Sequence, residues 1–183
     1  MKFYTGVGSR ETPADVMDFM EELAFHLAQD KWVLRSGGAQ GADSAFETGC
    51  DQFPGRKEIF IPWPGFSGTI GKCMHYLLSD SSRELQQEAE KLASQVHPAW
   101  DRLTRGGKAL HTRNVFQVLG KNLDRRSNIL VCWAKTDKYG VPVGGTRTAW
   151  VLAEEFAVPC YNLSKQEDRE KIEKWLKSVK EKS

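Results

Sequence analysis

Three short strings in this chain combine glycine with hydroxyl, carboxylate or guanidinium side chains. They are Gly6-Val7-Gly8-Ser9-Arg10, Ser36-Gly37-Gly38-Ala39-Gln40-Gly41-Ala42-Asp43, and Gly144-Gly145-Thr146-Arg147-Thr148. Each follows a strand-like segment and precedes a helical pattern. Glycine lets backbone N–H groups approach an oxyanion closely, and a helix start adds unpaired donors with a partial positive charge. The chemistry that suits this combination is capture of a phosphate or nucleotide. Gly8, Ser9, Ser36, Gly37, Gly38, Gly41, Gly144, Gly145, Thr146 and Thr148 are the candidate backbone and hydroxyl ligands. Arg10 offers a planar fork for a phosphate oxygen pair, or else a surface salt bridge. Asp43 suits a ribose hydroxyl and equally suits capping the helix it opens. Arg113-Asn114 reads as the opening of a later helix and as a charged wall of the same pocket. Trp63 and Phe66, in a loop stiffened by two prolines, suit stacking on a base or simple packing under the loop.

These strings converge only if the elements around them line up. Lys2 to Val7 reads as a strand. Thr12 reads as the N-cap of a helix with Pro13 in its first position, and Val16, Phe19, Met20, Leu23 and Leu27 follow at helical spacing. Trp32 to Arg35 is a second strand, Ala42 to Asp51 a helix, and Ile59 to Ile61 a third strand ended by Pro62. Residues 62–110 read as an irregular insertion, holding one helix marked by Leu85, Ala89, Leu92 and Val96. Thr112 to Asn122 is expected to be helical, Ile129 to Trp133 a buried strand, and a helix starts near Thr146. Val158 to Leu163 is the last strand, and Ser164 and Glu167 form a capping box for a final helix over about 165–181. Strands that alternate with helices predict a single α/β domain over residues 1–183. Its sheet is Rossmann-like and mostly parallel, with helices on both faces. Ligands of such sheets lie beyond the carboxyl ends of the strands, where all three glycine strings then fall.

Composition narrows the function classes. Charged residues make up 27% and hydrophobic residues 40%, a globular balance, and no apolar run approaches the roughly 18 residues of a membrane span. The opening MKFYTGVGSRETP lacks the apolar core of a signal peptide, so a cytoplasmic protein is expected. The net charge of +2 is far from that of a globally basic nucleic-acid binder. Residues 102–126, however, carry seven Lys/Arg against one acid, which suits a compact anion near one wall. Cys50, Cys73, Cys132 and Cys160 contain no C-x-x-C pair and read as reduced thiols. Cys73 and His75 have no second ligand pair, so neither a metal nor another cofactor is expected.

The strings GVGSR, SGGAQGAD, RN and GGTRTAWVLA together resemble the SLOG superfamily over about residues 3–163. That Rossmann-like group contains the Lonely-guy phosphoribohydrolases, the DNA-processing protein A family and the YspA/YpsA-related proteins. The likeness is nearest to the YspA-related branch and its stand-alone phage versions. The resemblance implies a nucleotide-binding fold, a homodimer or higher homo-oligomer, and a nucleotide or nucleotide-derived ligand, possible roles being to sense or sequester a signalling nucleotide in phage–host conflict. It also raises two alternatives, hydrolysis of a nucleoside 5′-monophosphate at its N-glycosidic bond and binding of single-stranded DNA. The phosphoribohydrolases carry P-G-G-x-G-T-x-x-E. With its glycine pair laid on Gly144-Gly145, Arg147 stands at the third glycine and Val151 at the catalytic Glu. Valine cannot position water or stabilise an oxocarbenium-like centre. Glu154 and Glu155 lie about a turn further on, where helical geometry points them elsewhere, and an acid from another loop, Asp43 or Glu47, could substitute.

Overall fold

The computed structural model describes residues 1–68 and 74–182. Six strands form one sheet in the order β4-β3-β2-β1-β5-β6, and every pairing is parallel. The strands are β1 (Lys2–Gly8), β2 (Trp32–Ser36), β3 (Lys57–Ile61), β4 (His75–Leu77), β5 (Ile129–Trp133) and β6 (Cys160–Asn162). The helices are α1 (Ala14–Gln29), α2 (Ala42–Cys50), α3 (Arg83–Val96), α4 (Arg105–Leu119), α5 (Thr146–Glu155) and α6 (Gln166–Lys180). The chain moves outward from β1 to β4, then returns to the other side of β1 for β5 and β6. The crevice beyond β1 and β5 is therefore the switch point at which open parallel sheets hold ligands.

Two apolar layers hold the sheet. One packs α1, α2 and α6 against one face through Met20, Leu23, Leu27, Phe46, Ile172 and Leu176, and the other packs α3, α4 and α5 through Ala89, Ala93, Val115, Phe116, Val118 and Leu152. Strands covered on both faces need apolar residues at nearly every position, and all five residues of β2 are buried. Gly6 shows how α2 is placed. A Cβ at Gly6 would stand 2.8 Å from Leu34 Cδ1 and 2.8 Å from Phe46 Cγ, so any larger residue there would push α2 off the sheet. Phe46 fills that gap fully buried, edge-on to Tyr4 at 6.1 Å. This contact sets the start of α2 beside the end of β1.

Several sequence expectations need correction. Helix α4 begins at Arg105, seven residues before the expected Thr112, because Thr104 Oγ1 accepts a hydrogen bond from the Gly107 N–H at 3.1 Å and caps a turn that Gly106 and Gly107 made look like loop. It also ends at Leu119, before the expected Asn122, where Gly120 turns left-handed at φ 80°. Arg113 and Asn114 consequently sit in mid-helix and do not open it. Pro13, not Thr12, is the N-cap of α1, and the Thr12 hydroxyl donates to the Ser9 carbonyl at 2.6 Å. The Ser164 capping box does not form. Ser164 Oγ donates to the Ala134 carbonyl at 3.0 Å, and the N-cap of α6 is Lys165, without a side-chain cap. The last strand is only Cys160–Asn162, and the short edge strand β4 had no sequence counterpart. Cys73 lies outside the described residues; its neighbour His75 places Nε2 2.8 Å from Glu47 Oε1.

Candidate functional site

The glycine strings after β1 and β2 and the one that opens α5 all reach the carboxyl edge of the sheet. There they border a cavity of about 470 Å³. Gly8, Ser9 and Arg10 come from the end of β1 and its loop, Ala39 and Asp43 from the β2–α2 turn and α2, and Gly144, Gly145 and Thr146 from the start of α5. Helix α4 closes the cavity with Leu110, His111, Arg113, Asn114 and Gln117, and Phe66, Val7, Val143 and Ala149 supply the apolar lining.

Arg113 organises the site. Its guanidinium is buried, with 5% of the residue exposed. Nη1 donates to the carbonyls of Gly37 and of Phe60, the latter at 3.0 Å, and Nε donates to Asn114 Oδ1 at 2.9 Å. Nη2 makes no hydrogen bond among the described residues. Asn114 passes the connection on, because its Nδ2 donates to the Gly145 carbonyl at 2.7 Å. One side-chain pair thus ties β2, β3 and the entry to α5 to a single helix. Burial pulls the Arg113 guanidinium down to about 10, against the pull of Asp43 that keeps it charged. Neighbouring Arg10 is exposed, forms no salt bridge among the described residues, and holds its guanidinium 5.9 Å from the Phe66 ring; Arg113 lies 5.2 Å from the same ring.

Asp43 is the carboxylate of the cavity wall. It accepts from the Ala39 backbone N–H at 3.3 Å, and the Gly37 and Gly8 N–H groups also bear on it, so one side chain is shared by the first two glycine turns. Burial pushes its carboxyl up to about 6, although Arg113 and those three N–H groups pull the other way. His111 Nδ1 lies 2.7 Å from Thr148 Oγ1 on α5, and its ring sits 4.4 Å from that of His97. Burial first, then His97 and Arg113, press His111 down to about 4.

Nine of the fifteen expected ligand residues line the cavity, namely Gly8, Ser9, Arg10, Asp43, Arg113, Asn114, Gly144, Gly145 and Thr146. The other six do not. Ser36 is buried and donates to the Gly6 carbonyl at 2.6 Å. Gly37 is covered, its carbonyl bound by Arg113. Gly38 is buried in a left-handed turn at φ 67°. Gly41 serves the fold: at φ 82°, a Cβ there would meet Ser9 O at 2.5 Å and Arg10 Cα at 2.7 Å. Thr148 is fully buried behind the wall, on His111. Trp63 faces a neighbouring groove, stacked edge-on to Phe66 at 5.3 Å, so Phe66 is the aromatic that reaches the cavity.

The basic segment is also not a single patch. Of its seven bases only Arg113 lines the cavity; Arg102, Arg105, Lys121, Arg125 and Arg126 are exposed. Arg125 and Arg126 donate to the Met1 and Phe156 carbonyls, far from the glycine turns. Sequence reading missed Leu110, His111 and Gln117. Leu110, Arg113, Asn114 and Gln117 form the i, i+3, i+4, i+7 stripe of a helix face, with His111 beside it, a signal cut in two by starting the helix at Thr112. Glu47 is committed elsewhere: burial would raise its carboxyl, but bonds from His75 and from Lys57 at 2.9 Å hold it down at about 2. Val151 packs toward the second apolar layer, and Glu154 and Glu155 are exposed.

No protein-family profile and no curated protein sequence matches the chain. Among solved structures it is similar to DNA processing protein A from Helicobacter pylori, which was described for its single-stranded DNA binding mode. The likeness covers 99% of this chain and 81% of that one, with a TM-score of 0.59 and 14% identity. At that identity the shared feature is the fold, a Rossmann-like parallel sheet between two helical layers.

Proposed function

We propose that this chain is a SLOG-type protein that binds a nucleotide or a nucleotide-derived small molecule in the cavity at the carboxyl edge of its sheet. The observation that carries this reading is Arg113. Three of its N–H donors are spent on the Gly37 and Phe60 carbonyls and on Asn114, and Nη2 has no hydrogen bond among the described residues, while Arg113 lines a cavity whose other side is the start of α5. Burying a guanidinium is costly unless it is paired and fully bonded. Asp43 supplies part of the pairing, and an anionic ligand completes it. The α5 start adds the N–H groups of a helix's first turn, and Gly144 and Gly145 have nothing within 4 Å of where a Cβ would be. A volume of about 470 Å³ suits one nucleotide unit and is within the usual range for small-molecule sites. Sensing or sequestering a signalling nucleotide is the role the SLOG resemblance adds. The test is mass spectrometry of small molecules released from freshly purified protein. A phosphorylated nucleoside derivative near one per chain is expected, and its absence from the Gly145→Leu variant would tie it to this cavity. Release of no such molecule, together with no binding of added nucleotides, would refute the reading.

Binding of single-stranded DNA is the second reading. The structural neighbour supports it, as does a groove of about 800 Å³ on the other side of α4, lined by Trp63, Arg105 and Lys108 among others. An aromatic between cations is the pattern of a stacking platform. N-glycosidic hydrolysis has less support. Asp43 is the only carboxylate on the cavity wall among the described residues, and it already accepts from the Ala39 backbone N–H. Incubation with AMP is therefore expected to release no free base.

A further inference from the structure

The Thr148 hydroxyl is fully buried, and a buried O–H must donate to something. Two other helical threonines, Thr112 and Thr48, donate to the carbonyl four residues back in their helices. Thr148 makes no such bond among the described residues, and its one partner is His111 Nδ1 at 2.7 Å. A neutral imidazole has one donor nitrogen and one acceptor nitrogen. If the hydroxyl donates, Nδ1 is the acceptor and the ring proton sits on Nε2. His111 lines the cavity, and Nε2 has no hydrogen-bond partner among the described residues.

From this hydrogen-bond accounting we infer that Thr148 fixes His111 as the Nε2–H tautomer, making it an uncharged donor to an oxygen of the cavity's ligand. No sequence motif assigns such a role to either residue. Burial above all keeps the ring neutral, and the surroundings add to it: His97 at the end of α3 sits against it, Arg113 lies on its own helix, and Arg147 of α5 bears on His97. A neutral donor can be buried in an empty site at far lower cost than a third cation beside Arg10 and Arg113. It also offers directional recognition of a ligand oxygen. The ligand half of this inference rests on the nucleotide reading above; the tautomer half does not.

The experiment is long-range 1H–15N correlation NMR on the His111 ring of the full chain, without ligand and then with AMP. Without ligand, the Nε2–H pattern is expected at pH 7, with no charging down to pH 5. Added AMP should move the Nε2 signal and leave Nδ1 near its free position. His111→Gln, whose amide can still donate from the Nε2 position, should bind AMP within a few-fold of the wild type. His111→Phe should lose roughly tenfold, the cost of one neutral hydrogen bond. Thr148→Val should release the tautomer preference in the ligand-free spectrum, a change that a purely structural contact would not produce. An Nδ1–H or charged ring at pH 7 would overturn the inference. So would AMP that shifts Gly145 and Asn114 but leaves Nε2 unmoved. AMP that shifts no cavity residue would defeat the nucleotide reading and the ligand half together, while the ligand-free spectrum would still decide the tautomer.

Discussion

Arg113 commits three donors to the protein before any ligand arrives, so its removal acts on the fold as well as on binding. Arg113→Met leaves the Gly37 and Phe60 carbonyls without their donor and Asp43 without its counter-charge. Leaving buried polar groups without their partner in this way costs about 3 kcal/mol. Denaturant unfolding at pH 7 should show a loss of that size, and nucleotide binding should disappear. Asp43 gives a pH signature. Its carboxyl is raised to about 6 in the folded protein from an ordinary value of 3.8, so the folded state binds the extra proton between those values. Its contribution is fully present below about pH 4 and is lost as pH rises through 6. A two-unit shift amounts to at most about 3 kcal/mol. His111, lowered to about 4, acts in the opposite direction over an overlapping window: its contribution is lost as pH falls from 6.5 toward 4. The Asp43→Asn variant should therefore be compared with the wild type, so that His111 cancels. The difference in unfolding free energy should change between pH 4 and 6 and be flat from 7 to 8. A flat difference throughout would show that Asp43 is not held protonated.

The cavity is built where α4 passes the starts of α2 and α5, and the glycines there do different jobs. Gly145 has open space at its Cβ position and helical angles, φ −62° and ψ −28°. Gly145→Leu should fold with a near-normal melting temperature and bind nucleotide at least tenfold more weakly, because the new side chain would fill the end of the cavity at the start of α5. Gly41→Ala should do the reverse of a clean binding mutant. It forces a Cβ into the Ser9 backbone at a left-handed angle and should cost about 2 kcal/mol of stability. Removing the α4 cap with Thr104→Ala should cost about 1 kcal/mol, read as a small drop in the thermal midpoint. The same cap explains what could be read in advance. The βα alternation and the glycine strings were legible because apolar period and glycine position are local signals. The start of α4 was not, because Gly106 and Gly107 have poor helix propensity and the cap that outweighs them is a single hydroxyl. Missing it hid the Leu110–Gln117 stripe and put Arg113 at a helix start. The Ser164 capping box failed for the opposite reason: a correct local pattern lost to a tertiary partner, the Ala134 carbonyl. Trp63 and Phe66 could not be told apart by sequence, since which ring enters the cavity depends on the fold of the loop around them.

For the whole molecule, net charge and architecture point the same way. The seven bases of residues 102–126 are spread over the turn before α4, α4 itself and the segment after it, and a single guanidinium from them lines the cavity, so the near-neutral total agrees with the proposal of one small anion site. A long polyanion held by several phosphate contacts would release several counterions, and its affinity would fall steeply with salt. A mononucleotide held by Arg113, Arg10 and the α5 start should show a shallow dependence. The most direct measurement is calorimetric titration of the wild type and of Gly145→Leu with 5′-mononucleotides, and in parallel with a single-stranded oligonucleotide, at 50 and 200 mM salt. Saturable binding of a mononucleotide at one per chain is expected, changed by less than about tenfold between the two salt conditions and abolished in Gly145→Leu. No mononucleotide binding, with oligonucleotide binding that collapses with salt and is indifferent to Gly145→Leu, would contradict it.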